Sequence, residues 1–287
     1  MLQIRKFRRD WAAMPVHWLP DDVLANHVIN VLHLVLPPGE LWMCRLFNRA
    51  LPLVKHAELA DQIRGMLGQE AAHASGHRDV LQYYEEHGFD LRPSQMRLNT
   101  LFTQSLGDKF LGRYHLSEAA ERRWLLARLG IVTALEHLTC ALGSWAFYNR
   151  ELEKSCVFPD MISLIKWHAA EEMEHRCVAF DLYHHMGGGY TQRVLLYVLV
   201  FAVIVLTWKR GTKAFLSQDL KVERRYFLWD YMASSRRGHV PSVSYILRAF
   251  LRYLRPGFHP QGEASTEVVE AYLKDIDADS RSVADPQ

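Results

Sequence analysis

Glu70 and His73 stand three residues apart, and about a hundred residues later Glu172 and His175 repeat that spacing, each pair inside a long stretch of helical period. Positions three and four apart share one face of a helix. At about 100° per residue, His168, Glu172 and His175 fall on one narrow stripe of the segment WHAAEEMEHRCVAFD. Glu171 sits at the edge of that stripe and Glu174 faces away from it. On the earlier stretch, His77 follows four residues after His73 on the same face. Two further acids interrupt apolar surroundings, Glu40 in PPGELWMCRLFNRAL and Glu136 in IVTALEHLTCAL. The order is therefore Glu, Glu-x-x-His, Glu, Glu-x-x-His, one element on each of four long helical stretches.

That arrangement matches the ligand set of dinuclear carboxylate bundles, in which two helices give one Glu each and two give Glu-x-x-His. Four carboxylates balance two divalent cations, and each imidazole supplies one terminal nitrogen. Without cations, four buried glutamates would carry a large desolvation cost or be forced to take protons. The expected ligands are Glu40, Glu70, His73, Glu136, Glu172 and His175, with His168 and His77 as additional ligands or supporting residues. Mixed oxygen and nitrogen ligation with open positions suits iron, with manganese or zinc as alternatives. His137 is rotated off the face of Glu136 and reads as a packing or hydrogen-bonding residue. Cys44 and Cys140 each lie four residues after a proposed ligand and read as small buried hydrophobes.

Alternating β-branched runs are nearly absent, so the chain reads as all-α: a ferritin-like four-helix bundle with a C-terminal helical extension. The prolines at 37 and 38 read as the entrance of the first helix. The second ends at Gly88, Ser117 caps the third, and the fourth runs from near Phe158 to the glycines at 187–189. Residues 1–190 form the bundle. Residues 191–261 hold an apolar helix followed by basic amphipathic helices, and 262–287 an acidic, partly disordered tail.

Residues 194–208, VLLYVLVFAVIVLTW, carry no charge, yet fall a few short of the roughly 20 apolar residues a spanning helix needs. Residues 209–255 then carry eleven Lys or Arg against three acids. Interleaved with YFLWDYM and YILRAFLRYL, this block suits an anionic membrane surface, and no nucleic-acid motif accompanies it. Four scattered cysteines and an N-terminus without an apolar signal core suit the cytoplasm, including the inner face of a membrane.

The chain resembles a ferritin-like bacterial family catalogued as predicted metal-dependent hydrolases. PPGE, QEAAH, ALEH, WHAAEEMEH followed by VAFD, and LRPGFHP carry the resemblance. The spacing of His168, Glu172 and His175 is also similar to the di-iron arylamine N-oxygenases, which implies His168 as a seventh ligand. The ligand chemistry favours a di-iron enzyme that activates dioxygen to oxidise a hydrophobic or lipid-like molecule, with a separate electron donor. The family resemblance implies the alternative, hydrolysis by a two-metal-activated water. A non-catalytic metal-binding or membrane-associated helical protein is the third reading.

Overall fold

The computed structural model describes residues 2–110, 112, 114–222 and 225–284, with side chains described as far as residue 276. Among these residues the protein is all-α, the one β feature being an isolated bridge between Phe110 and Tyr114. Four helices carry the expected ligands: α1 (Val23–Ala50), α2 (Ala57–Glu86), then, after the short α3 (Arg92–Thr100), α4 (Glu118–Phe147) and, past α5 (Arg150–Ser155), α6 (Pro159–His175). α1 packs along α2, and α4 along α6. Their shared interior holds Trp18, Trp42, Phe47, Met66 and Leu164, all buried. Each such side chain contributes about 1.5–3 kcal/mol by leaving water.

Local chemistry places the ends. Asp22 caps α1 by accepting from the Ala25 amide at 3.1 Å. The helix therefore starts fourteen residues before Pro37, and Pro37 and Pro38 lie inside it, which corrects the expected entrance. Each proline removes an N–H that would have bonded the carbonyl four residues earlier. The stretch from Leu24 to Val35, buried against the core through Leu24, Ala25, Ile29, Val31, Leu34 and Val35, carries the helix through that loss. α2 ends as expected, with Gly88 at φ +89° turning the chain. Ser117 is the N-cap residue of α4, although its side chain makes no capping bond.

The fourth expected helix is broken. α6 stops at His175, and α7 (Val178–His185) starts after a two-residue interruption. At the break the buried Arg176 guanidinium donates to the Met173 carbonyl of α6 and also to the carbonyls of Pro260, Gln261 and Ala264 and the Thr266 hydroxyl, the last four at 2.9–3.2 Å. These bonds fasten the C-terminal segment to the end of α6, just beyond the last expected ligand.

α8 (Tyr190–Leu216) contains the whole apolar run and lies across α1 and α4. α9 (Leu228–Arg236) and α10 (Val243–Tyr253) follow, and α11 (Thr266–Ala284) packs on α6 through the buried Val269 and Leu273. Residues 285–287, at the end of the expected tail, lie outside the described residues.

Asp219, just past α8, ties that end of the helix to the rest. Its Oδ2 accepts from His17 Nε2 at 2.6 Å and His27 Nε2 at 2.7 Å. Burial raises its carboxyl, but the two imidazole bonds outweigh burial and bring it down to about 2 from the ordinary 3.8. Because the folded value is the lower one, its stabilisation is complete above pH 3.8 and is lost as pH falls towards 2. Asp219→Asn should therefore cost about 2 kcal/mol in urea unfolding at neutral pH. The gap between variant and parent should close across that acid window.

Candidate metal centre

Each of the four helices delivers carboxylates or imidazoles to one buried volume. Glu40 comes from α1, Glu70 and His73 from α2, Glu136 from α4, and His168, Glu172 and His175 from α6. All six expected ligands are at most 2% exposed, and His168 is also buried. His175 Nε2 lies 3.2 Å from Glu70 Oε1, 3.3 Å from Glu136 Oε2 and 3.6 Å from Glu172 Oε2. His73 Nδ1 lies 3.9 Å from Glu70 Oε2 and 3.8 Å from Glu172 Oε1. His168 Nε2 is 3.0 Å from Glu172 Oε1 and 3.8 Å from Glu40 Oε1. Two groups of converging ligand atoms result, Glu40 with His73 and His168, and Glu70 with Glu172 and His175; within each, the atoms are no more than 4.8 Å apart.

The polar atoms turned into this volume share a property found in few other buried places. Both carboxylate oxygens of Glu40, Glu70 and Glu136, together with His73 Nδ1 and His175 Nε2, lack a hydrogen-bond partner among the described residues. Native interiors satisfy nearly all such groups. Eight orphaned acceptors facing one another are the donor set of a cation site. Electrostatics agrees. Burial, then neighbouring Glu70, pushes the Glu40 carboxyl well above the usual range. Burial, then Glu172, raises Glu136 to about 8. Divalent cations would reverse both shifts and hold the carboxylates ionised.

Residues behind the ligands fix which nitrogen faces inward. His73 Nε2 donates to Glu171 Oε2 at 2.9 Å, and Glu171 Oε1 accepts from Arg5 at 3.0 Å. The His73 proton therefore sits on Nε2, and the Nδ1 lone pair points into the cluster. His175 Nδ1 donates to Gln69 Oε1 at 3.1 Å. Gln69 is itself oriented by its Nε2, which donates to Glu174 at 2.7 Å and to the Gln3 carbonyl at 3.0 Å. That leaves the His175 Nε2 lone pair for the cluster. The N-terminal segment that brings Gln3 and Arg5 here runs against α2 at Gly65, where a Cβ would stand 2.6 Å from that of Leu2.

A third feature is a file of histidines. His168 Nδ1 lies 2.7 Å from His77 Nε2, and His77 Nδ1 lies 2.8 Å from His33 Nδ1. Burial lowers His33 to about 3 and holds His77 well below the usual imidazole value, so both are neutral. His168 Nε2 donates its N–H to the Glu172 carboxylate, so the file runs from His33 through His77 to His168. His77 thus supports His168 rather than facing the carboxylates.

Sequence reading missed four of these parts. Glu171 was placed at the stripe's edge, and Arg5, Gln69 and His33 drew no attention. Only the adjacency of Gln69 and Glu171 to ligands could have signalled them. His137 donates to or accepts nothing in the cluster; its Nε2 bonds the Ala249 carbonyl at 2.9 Å, in keeping with a packing role.

His17, His27 and Asp219 form another converging trio. Their hydrogen bonds explain them without a cation. Trp18 Nε1 donates to Asn30 Oδ1 at 3.0 Å, which turns Asn30 Nδ2 towards His27 Nδ1, 3.3 Å away. The His27 proton must then lie on Nε2, where it is given to Asp219.

A large apolar cavity of about 1510 Å³ ends at one side of the carboxylate cluster. Glu40, Glu136, His168 and Glu172 form its polar end, and the remaining wall is mainly aliphatic and aromatic. Glu70, His73 and His175 lie behind that end.

Removing the support of His73 should loosen the centre without unfolding it. Glu171→Ala should weaken divalent-metal affinity about 10–100-fold, measured by chelator competition. A Glu58→Ala control at the exposed start of α2 should leave affinity unchanged.

No curated protein and no solved structure matches the chain. A family model described as "predicted metal-dependent hydrolase" matches residues 3–264. That span takes in every helix that builds the carboxylate cluster and the cavity wall, and the chain belongs to the predicted metal-dependent hydrolase family.

Proposed function

We propose that this protein is a metal-dependent hydrolase that cleaves an ester-type bond in a lipophilic substrate. The carrying observation is the apolar cavity ending on Glu40, Glu136, Glu172 and His168. A pocket of that size and lining suits a long apolar molecule, with a few polar groups at one end to orient the reacting bond. Glu40, Glu70, Glu136, Glu172, His73 and His175 would hold two divalent cations, which when bound supply Lewis acidity and a water of lowered pKa.

The chain's own contribution is the orientation of its carboxylates at the polar end of the cavity and the exclusion of bulk water. His168 Nε2 donates to Glu172 Oε1 at 3.0 Å, because an ionised carboxylate can only accept. His168 Nδ1 then accepts from His77 Nε2, and His77 Nδ1 from His33 Nδ1, so the file holds His168 in the tautomer that positions Glu172 beside the reacting bond. The family description supports the same reaction class.

A second reading rests on a different observation. Four carboxylates and two imidazoles, arranged as two Glu-x-x-His pairs and two single Glu residues, are the ligand chemistry of di-iron sites. That reading makes the protein an oxidoreductase that uses dioxygen and an electron donor on the same lipophilic substrate.

One experiment separates the two. The metal-free protein is loaded in turn with zinc, manganese and ferrous iron and assayed on p-nitrophenyl esters of increasing acyl length, with oxygen uptake recorded in parallel. Hydrolysis should depend on metal and rise with acyl length. His168→Ala should lower kcat about 10–100-fold with metal content retained, because Glu172 loses the donor that positions it. Oxygen consumption by the ferrous protein, with no metal-dependent ester cleavage, would replace the hydrolase reading by the oxidative one.

A further inference from the structure

We infer that α8, α9 and α10 form a docking face for an anionic lipid bilayer, and that the cavity opens onto that face. The docking claim is independent of the reaction proposed above; only the consequence, that substrate enters from the bilayer, rests on it.

Among the described residues two helices are long and apolar enough to cross a membrane, α4 and α8, and they differ in what covers them. The most apolar stretch of α4 is 67% buried, whereas that of α8 is 17% buried. Leu195, Leu199 and Leu206 are each more than half exposed. At 100° per residue they share a stripe with Ala202, and Lys209, Arg210 and Lys213 continue it. The opposite face of the helix is fastened to the body at both ends. Buried Arg193 donates to the carbonyls of Tyr253 and Arg255 at 2.6 and 2.9 Å. Trp208 Nε1 donates to the Val28 carbonyl of α1 at 3.0 Å. A helix held along its length in this way lies on a membrane rather than across it.

The neighbouring helices extend the same surface. Leu228, Trp229 and Met232 of α9 are exposed, as are Val243, Leu247 and Leu251 of α10 at a spacing of four. Monomeric soluble proteins rarely leave so many large apolar side chains uncovered on helices that line one cavity. The charges nearby select the occupant. Lys209, Arg210, Lys213, Lys221, Arg236 and Arg248 are exposed. Among the described residues of these helices and the turns between them, Asp219 is buried and bonded to histidines, and Asp230 caps α9 by accepting from the Phe227 amide. Self-pairing of this face would set like charges against one another, whereas anionic headgroups complement them. Val205, Lys209, Lys213, Phe227, Leu228 and Val243 are exposed and also line the cavity that reaches Glu40 and Glu172. The mouth therefore lies within the docking face, with its lysines at headgroup level and its apolar wall at acyl level.

Flotation of the full-length, metal-loaded protein with phosphatidylcholine vesicles, with and without phosphatidylglycerol, tests this. Binding should require phosphatidylglycerol and be lost in high salt. K209E/K213E should weaken it on the order of tenfold or more, and L199D/L206D should abolish it. Melting temperature and metal content should not change, because all four positions are exposed. Failure to float with either vesicle would overturn the proposal, as would floating that neither double variant reduces. Retention on vesicles through both high salt and alkaline wash would also overturn it, because that behaviour belongs to an inserted helix. So would a dimer that L199D/L206D dissociates in a protein that ignores vesicles. None of these readouts involves turnover, so they leave the hydrolase reading to its own test.

Discussion

Four glutamate side chains share one water-poor volume at the centre of this protein, and every other feature of the molecule answers to that fact. Burying even one ionised carboxylate without a partner costs several kcal/mol. Glu40, Glu70 and Glu136 turn six oxygens inward that no donor among the described residues reaches. A core of aromatic and aliphatic side chains can offset part of such a cost, but it cannot make the arrangement specific. Divalent cations held by these residues convert mutual repulsion among the carboxylates into shared attraction. The family description, with its metal dependence, names the same requirement in other words.

The cluster has two unlike sides, and the difference organises the rest of the chain. Behind it, polar residues hold the imidazoles: Arg5 and Glu171 fix His73, and Gln69 with Glu174 fixes His175. Imidazole ligands oriented by such partners keep the correct tautomer and resist rotation. In front, the wall is mainly apolar and lines a cavity of about 1510 Å³. An apolar front strengthens every electrostatic interaction at the cluster by excluding water. His168 belongs to both sides. It faces the cavity through Nε2 and passes back through Nδ1 to His77 and His33, which are neutral and buried.

Those parts of the centre that depend on one helix were legible from sequence, and those that depend on two were not. Spacing alone put Glu70 with His73 and Glu172 with His175, because three residues of helix fix a common face whatever lies opposite. An isolated Glu in an apolar run was equally plain at positions 40 and 136. Glu171 was misjudged because its partner, Arg5, is 166 residues away. The file from His168 to His33 joins three helices, and no local period records it. The prolines at 37 and 38 misled for a related reason. They are a good local signal for a helix start, and the apolar face from Leu24 onward overrode it through tertiary packing. The helix that periodicity would have continued is interrupted at Arg176, whose side chain bonds carbonyls more than eighty residues later.

The apolar run at 194–208 is the clearest case of two structures sharing one sequence pattern. A helix that spans a bilayer is apolar all round because lipid surrounds it. A helix packed on a protein along one face, with lipid or another apolar partner on the opposite face, has the same composition. Hydropathy therefore cannot separate the two, and neither can length, since α8 at 27 residues is long enough for both. What separates them is where the two ends are tied. Arg193 and Trp208 bond backbone carbonyls of different elements at opposite ends of the run, and Tyr197 and Phe215 are buried on the same side. Pulling α8 across a bilayer would break these bonds and expose the core of α1 and α4. The apolar residues left on the outer side then need a reason of their own, and the lysines that continue their stripe supply one.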